Sequence, residues 1–505
     1  MAETPAVVGA AAPEHPESRR VGSQAVVYGA GQFLSRLLSF LLLPLYTRKL
    51  TPADYGTLQL VMVIFEVVAL VAGGRIATGV FRLYYREMEE SKRRSLLSTA
   101  FILVNASYVV LGIVVLAFAG VFSRLALGTE SYAYLVRLAA GAFMFQGALI
   151  LPLVYYKLRE SPWRYVAATV GLQGIQALLN ILFVGFWNMG VRGVFLSSLL
   201  AFAAFGTVAG FALLRQVGHD YSRPAADELL RFGLPLVATS AAVLLMTTGG
   251  RYALGQFGTL TDVGLFALAT TFGTVLINLG NSPFMQVWEA ARFRVALRPD
   301  RDALYARAFV LLNVSLFLVA TAIAIFVHDY LAIAASPAYG PVALLVPLTL
   351  SAYLLQCWTM VLDTGVMLAD KTSAIARSNW LAALVSLVGF VTLVPAWKTL
   401  GAAITLLLAF AVRFLTVYRS AQALTPIRYE WGPVGRMTAI SVMAVALGAL
   451  VQPRSRVLSV LCHALIYAGF AGSLWISKVV AESDRARVRG LARSLIRRRS
   501  HVAVT

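Results

Sequence analysis

Charged residues are scarce in this sequence. Asp, Glu, Lys and Arg make up 13% of its 505 residues, whereas 59% are hydrophobic, and the mean hydropathy is +0.76. A soluble protein carries about twice that charged fraction. The composition excludes an ordinary soluble protein and indicates a polytopic membrane protein.

The sequence contains few cysteines and none of the common catalytic or metal-binding motifs. The two cysteines, Cys357 and Cys462, lie in apolar segments, so neither a disulfide framework nor a metal site is implied. The sequence has no Walker loop, no His-Glu-x-x-His pair and no clustered metal ligands. We expect no metal, no cofactor and no catalytic residue.

Long apolar runs fill most of the chain. About 14 of them have the length that a helix needs to cross a bilayer, whereas an outer-membrane barrel would show short alternating strands. The predicted spans 1 to 14 are, in order, 25–47, 57–80, 96–120, 132–154, 165–187, 193–214, 232–254, 262–285, 304–327, 341–368, 375–395, 399–418, 435–451 and 457–477. The sequence therefore predicts an all-α polytopic membrane protein.

The net charge of +20 follows the membrane topology. If the N-terminus is cytoplasmic, by far the larger part of the 43 Lys and Arg residues falls in the even-numbered loops and the two tails. This bias is the positive-inside pattern, and it predicts cytoplasmic N- and C-termini. The basic end of the chain is typical of a tail near anionic headgroups. We expect no nucleic acid partner.

An internal repeat divides the chain. Asp54-Tyr55-Gly56 recurs 208 residues later as Asp262-Val263-Gly264. Each half holds six spans, so both enter the membrane from the same side and the repeat is parallel. We expect a disordered cytoplasmic tail (1–22), two six-helix bundles (23–220 and 221–424) around a central cleft, an additional helix pair (425–480) and a basic cytoplasmic tail (481–505).

The first repeat carries the motifs of a known family. An apolar helix with Ser35-Arg36 ends at Leu43-Pro44-Leu45, and the turn Leu50-Thr51-Pro52-Ala53-Asp54-Tyr55-Gly56 follows. This order resembles the opening of bacterial polysaccharide exporters and O-antigen flippases, members of the multidrug/oligosaccharidyl-lipid/polysaccharide exporter superfamily. The ends of both halves and the loop at 368–372 resemble the same family.

The resemblance implies a transporter that flips an undecaprenyl-diphosphate-linked oligosaccharide, the repeat unit of an O-antigen, lipopolysaccharide or exopolysaccharide. Flipping would run from the cytoplasmic to the periplasmic leaflet of the bacterial inner membrane by alternating access. The implied partners are the lipid-linked oligosaccharide and membrane lipids. A polysaccharide polymerase and chain-length machinery are further candidate partners.

Such a transporter needs a wet, cationic cleft. Arginine suits it because the guanidinium stays charged and binds phosphate oxygens in bidentate fashion. Arg36 is the first candidate, because a charge in the middle of a span needs a partner or a hydrated cavity. Arg75, Arg137 and Arg251, near the ends of spans 2, 4 and 7, are further candidates. The alternative for each arginine is snorkelling to headgroups or a structural ion pair.

Other polar residues also lie within spans. Glu66 is expected either to pair with Arg36 or to take up a proton or cation, and Asp363 is the second candidate for ion coupling. His463 is expected to be buried and hydrogen-bonded. Seven amides are candidates for contacts with sugar hydroxyls or for helix–helix hydrogen bonds: Asn105, Gln146, Gln173, Gln176, Asn180, Asn278 and Asn281.

Two other functions fit the composition. A cation-coupled multidrug exporter shares the fold, but cationic drugs favour acidic cavities, whereas Arg36 favours an anionic substrate. A membrane glycosyltransferase or polymerase would need a large outer loop or an acidic catalytic pair, and the predicted connections are short.

Overall fold

The structure, a computed structural model, describes residues 27–477 except residues 30, 32–33, 39, 74–75 and 454. The predictions for 1–22, for 481–505 and for Arg75 therefore lie outside the described residues. The described positions between 27 and 41 are helical, apart from the gaps, and lead into α1.

The α-helices follow in chain order. They are α1 (Leu43–Lys49), α2 (Pro52–Val71), α3 (Ile76–Arg86), α4 (Glu90–Ala117), α5 (Ala119–Leu127), α6 (Ala133–Leu158), α7 (Pro162–Asn180), α8 (Gly190–Val217), α9 (Arg223–Phe257), α10 (Leu260–Leu276), α11 (Ser282–Ala296), α12 (Arg301–Ala334), α13 (Val342–Leu362), α14 (Thr364–Leu368), α15 (Ser373–Leu424), α16 (Trp431–Leu450) and α17 (Arg456–Ile476). Two π-helical segments, Ile181–Phe186 and Ile277–Asn281, follow α7 and α10.

Within the described residues, 12 helices are long and apolar enough to cross a membrane. The longest, α15, is interrupted at Lys398, where φ is 48° and ψ is −123°, so it covers predicted spans 11 and 12. Predicted span 1 includes residues outside the description. The expected all-α polytopic membrane fold is confirmed.

The starts of α2 and α10 repeat each other. Thr51 Oγ1 accepts the Asp54 N–H at 3.1 Å, and Asp54 Oδ2 accepts the Thr51 N–H at 3.0 Å. In the same way, Thr259 Oγ1 accepts the Asp262 N–H at 3.2 Å, and Asp262 Oδ2 accepts the Thr259 N–H at 2.9 Å. These capping boxes satisfy backbone donors that a helix start leaves free. The Asp-x-Gly turn of the sequence is thus a helix-start signal that occurs twice.

Helices α2 and α10 cross at two glycines. A Cβ on Gly56 would lie 1.9 Å from the carbonyl oxygen of Leu260, and a Cβ on Gly264 would lie 2.0 Å from that of Pro52. Only glycine allows the two backbones to approach so closely. Gly264 lies 208 residues after Gly56, and Leu260 lies 208 residues after Pro52. The contact therefore has the symmetry of the repeat.

A second pair of contacts follows nearly the same offset. Asn188 and Lys398 both have φ near 50° in the turns after predicted spans 5 and 11. Lys49 Nζ donates to Asn188 Oδ1 at 2.8 Å, and Lys398 Nζ donates to the carbonyl oxygen of Phe257. Lys49 and Phe257 are 208 residues apart. The division into two repeated bundles stays a prediction that these contacts support.

The pair α16–α17 packs against α12 through buried polar groups. His463 Nδ1 lies 2.5 Å from Asp329 Oδ2, and His463 Nε2 lies 3.0 Å from the carbonyl oxygen of Gly448. Ser459 Oγ donates to Asp329 Oδ1 at 2.6 Å. His463 is 1% exposed, as a buried, hydrogen-bonded histidine should be.

Candidate functional site

Arg36 extends from the first helical stretch to the second half of the chain. Its Nη1 donates to Asn278 Oδ1 and, at 3.2 Å, to Ser282 Oγ. Asn278 lies in the π-helical segment Ile277–Asn281, and Ser282 begins α11. A π-helical turn inside a helix frequently marks a functional position. The guanidinium therefore joins predicted spans 1 and 8.

A cavity of about 460 Å³ lies beside Arg36. The first helical stretch, α6, α7 and α8 supply its walls. Its polar lining groups are those of Ser35, Arg36, Gln146, Tyr165, Thr169 and Gln173. One guanidinium, two amides and three hydroxyls provide a cation and hydrogen-bonding groups to a polar, anionic ligand. Two of the predicted amides, Gln146 and Gln173, thus share this cavity with Arg36.

Arg251 and Glu66 form an ion pair between α9 and α2. Arg251 Nη2 lies 3.0 and 3.1 Å from the carboxylate oxygens of Glu66, and its Nη1 donates to Gln59 Oε1 at 2.8 Å. Thr248 Oγ1 donates to Glu66 Oε2 at 2.6 Å. The side chains of Arg251 and Glu66 are 15% and 37% exposed. The pair joins the two halves within the membrane-spanning region.

These contacts revise two expectations. Glu66 bonds with Arg251, and the structure does not bring it to Arg36, which contacts Asn278 and Ser282. The expected pairing of Glu66 with Arg36 is therefore wrong. Arg251 is neutralised by Glu66, so it adds little net positive charge. Glu66 also lines a second cavity, of about 400 Å³.

Asp363 lies between α13 and α14 and pairs with Arg292 of α11 at 2.9 Å. The two side chains are 20% and 10% exposed. Nearby, Arg413 of α15 donates to Gln356. The candidate for ion coupling is thus half of a largely buried ion pair, whose arginine partner sequence reasoning missed. A carboxylate inside a span indicates that a cation lies nearby, but it does not indicate which one.

Arg137 lies near the start of α6 and is exposed. It makes no hydrogen bond or ion pair with the described part of the chain, and it is not among the lining residues of the Arg36 cavity. Of the four predicted arginines, the structure places Arg36 at a polar cavity and Arg251 in an ion pair. Arg75 lies outside the described residues.

Residues 21–288 match the family described as polysaccharide biosynthesis protein. The succinoglycan biosynthesis transport protein ExoT of Rhizobium meliloti (strain 1021) is 23% identical over 243 residues, which cover 47% of this chain and 47% of that protein. The match thus spans about half the length of this curated relative.

Two solved structures show the same fold. The Lipid II flippase MurJ, in an inward closed conformation, superposes with a TM-score of 0.72 at 11% identity, over 90% of this chain and 100% of MurJ. An inward-facing multidrug resistance MATE transporter of the MOP superfamily superposes with a TM-score of 0.57 at 17% identity, over 79% of this chain and 98% of that transporter. The resemblance read from the motifs is confirmed. The chain belongs to the polysaccharide biosynthesis protein family and has the multi-pass helical fold that MurJ and the MATE transporters share.

Proposed function

We propose that this protein flips an undecaprenyl-diphosphate-linked oligosaccharide from the cytoplasmic to the periplasmic leaflet of the bacterial inner membrane. The family match, the transport role in the name of the succinoglycan relative and the fold of a lipid flippase support this proposal. The observation that carries it is the cavity beside Arg36, where one cation lies among amides and hydroxyls.

The chemistry of the cavity suits the two polar parts of such a lipid. The Arg36 guanidinium now donates to an amide and a hydroxyl oxygen, and diphosphate oxygens can replace both as stronger, charged acceptors. Gln146, Gln173 and Thr169 present groups that pair with sugar hydroxyls. Transfer between leaflets changes no covalent bond, so the function needs no catalytic residue.

Alternating access would move the two bundles, 23–220 and 221–424, against each other. The Arg36–Asn278 and Arg251–Glu66 contacts cross between them, and polar contacts of this kind can exchange partners as the bundles move. The positive-inside bias favours cytoplasmic termini. A polymerase with its chain-length machinery would consume the flipped product.

A cation-coupled multidrug exporter is the second candidate. Glu66 favours it, because this carboxylate lines the cavity of about 400 Å³ and is 37% exposed. The MATE-like fold is compatible with it. A drug exporter would depend on Glu66 and tolerate the loss of Arg36, whereas the flippase requires Arg36.

The test compares Arg36→Ala and Arg36→Lys in cells whose surface polysaccharide depends on this protein. We expect the alanine variant to insert normally and to abolish the polymer, and the lysine variant to restore it only in part, because lysine cannot bind phosphate in bidentate fashion. Arg215→Ala, at an exposed arginine near the end of α8, is the matched control. Normal polymer in the Arg36→Ala cells would remove Arg36 from the mechanism.

A further inference from the structure

An apolar cavity of about 450 Å³ lies between α2, α5 and α9. Val67 lines it from α2, Phe122 and Leu125 from the short helix α5, and Leu245 from α9. Thr248 and Tyr252 supply its hydroxyl groups. The size and the mostly apolar lining are those of a ligand site rather than of a packing defect.

The mouth of this cavity opens on the membrane-spanning surface. Val67, Leu125 and Tyr252 are 49%, 57% and 42% exposed. Val67 and Tyr252 lie on helices that are long and apolar enough to cross the membrane. Hydrocarbon chains are therefore the medium outside the mouth.

The inner end of the cavity reaches the polar contacts between the two halves. It shares Leu70 and Leu244 with the cavity that Glu66 lines. Thr248, on its wall, donates to the Glu66 carboxylate at 2.6 Å. The apolar cavity thus adjoins the cavity beside the Arg251–Glu66 pair.

Contacts limit the cavity toward both ends of α2 and α9. On one end, Phe122 of α5 packs at the cavity. On the other end, α3 meets α9, where Arg82 lies over the ring of Phe232 at 5.1 Å and Arg86 pairs with Glu228 at 3.1 Å. The opening of the cavity therefore lies between these two ends, along the sides of α2 and α9.

We propose that this cavity is a lateral slot that holds the hydrocarbon chain of the lipid-linked substrate. This inference rests on the proposed function, in which the head group binds at Arg36, whose guanidinium joins the two halves, while the chain stays in the bilayer. The wall between the halves must then contain an apolar gap at membrane depth. Polar groups bridge the halves where Arg36 meets Asn278 and Ser282, whereas mostly apolar residues line the gap between α2 and α9.

The first test fills the slot. In Val67→Trp the indole occupies the mouth, and we expect the loss of most surface polymer at a normal amount of membrane-inserted protein. Val110→Trp is the matched control, because Val110 of α4 is 58% exposed and does not line the cavity. We expect this control to make normal polymer. Equal amounts of surface polymer in the two variants would contradict the proposed slot.

The second test does not depend on how the tryptophan variant folds. Val67 is replaced by the photoreactive amino acid p-benzoylphenylalanine in the full chain, the cells are irradiated, and the attached lipid is identified by mass spectrometry. We expect polyprenyl adducts at position 67 and none at position 110. Only phospholipid adducts at position 67 would overturn the inference about the substrate.

The two proposals fail in different ways. If Val67→Trp has no effect while Arg36→Ala abolishes the polymer, the slot is wrong and the flippase stands. If Arg36→Ala also has no effect, the proposed role of Arg36 is wrong too, and the flippase itself fails only if the wild-type protein does not move the lipid between leaflets.

Discussion

Gly56 and Gly264 meet where α2 and α10 cross, and neither position has room for a side chain. A Cβ would lie within 1.9 Å of a backbone oxygen at Gly56 and 2.0 Å at Gly264. Backbone atoms cannot rotate away as a flexible side chain can. The crossing therefore fixes how closely the two halves approach at the capping-box end of both helices.

Gly56→Ala should destabilise the protein. The added methyl group overlaps the Leu260 carbonyl, and overpacking of a tight site costs about 1–3 kcal/mol or more. The measurement is the Tm of the purified protein in detergent. Gly469→Ala, in α17 with nothing near its Cβ, is the control and should leave the Tm unchanged or raise it. An unchanged Tm for Gly56→Ala would contradict the close crossing.

Glu66→Gln should leave Arg251 without its carboxylate. Breaking a fully buried ion pair lowers the free energy of unfolding by about 3–5 kcal/mol. We expect a smaller loss of roughly 1–3 kcal/mol for this pair, because Glu66 is 37% exposed. The double variant Glu66→Gln/Arg251→Gln should regain part of that loss, as a double-mutant cycle of thermal unfolding measures. Additive losses would show that the two side chains do not interact.

The Asp363–Arg292 pair is more deeply buried, so its loss should cost more. Asp363→Asn leaves Arg292 without a countercharge, and we expect about 3–5 kcal/mol of destabilisation. Arg292→Gln combined with Asp363→Asn should be more stable than either single variant. If Asp363→Asn is fully stable yet inactive in transport, the carboxylate serves ion coupling and the structural pair is secondary.

His463 should anchor the pair α16–α17 to α12. Its Nε2 faces the Gly448 carbonyl, which only accepts, so Nε2 carries a hydrogen, and Nδ1 lies within hydrogen-bond distance of Asp329. His463→Phe removes a hydrogen-bond partner from two buried groups, the Gly448 carbonyl and the Asp329 carboxylate. Each loss should lower the free energy of unfolding by about 1–3 kcal/mol. We expect a lower Tm and faster proteolysis between α16 and α17. Cys462→Ala, at the partly exposed neighbouring position, should behave like the wild type.

The fold was predictable where the signal is local. Apolar length alone locates the spans, and the Thr-x-x-Asp spacing before each apolar run is a helix-start signal. The boundary after span 8 was less predictable. The apolar run ends near residue 285, whereas α11 continues to Ala296 and carries Arg292 into a largely buried pair.

The partners within the site were not predictable from the sequence. Arg36 and Glu66 stood out because charges are rare inside spans, but which charge meets which depends on how each helix is rotated about its axis. Successive residues turn by about 100° in an α-helix, so one sequence separation fits several pairings. In the structure Glu66 pairs with Arg251, and Arg36 contacts Asn278. Only tertiary packing determines these two contacts.

The most direct measurement is the flipping of a fluorescent undecaprenyl-diphosphate-linked oligosaccharide in proteoliposomes that contain either the wild-type protein or Arg36→Ala. The fraction of lipid that a membrane-impermeant quencher reaches reports the transfer between leaflets. We expect transfer by the wild type and by Arg215→Ala, and no transfer above empty liposomes by Arg36→Ala. Equal transfer by the wild type and Arg36→Ala would contradict a phosphate-binding role for Arg36, and no transfer by the wild type would contradict the flippase.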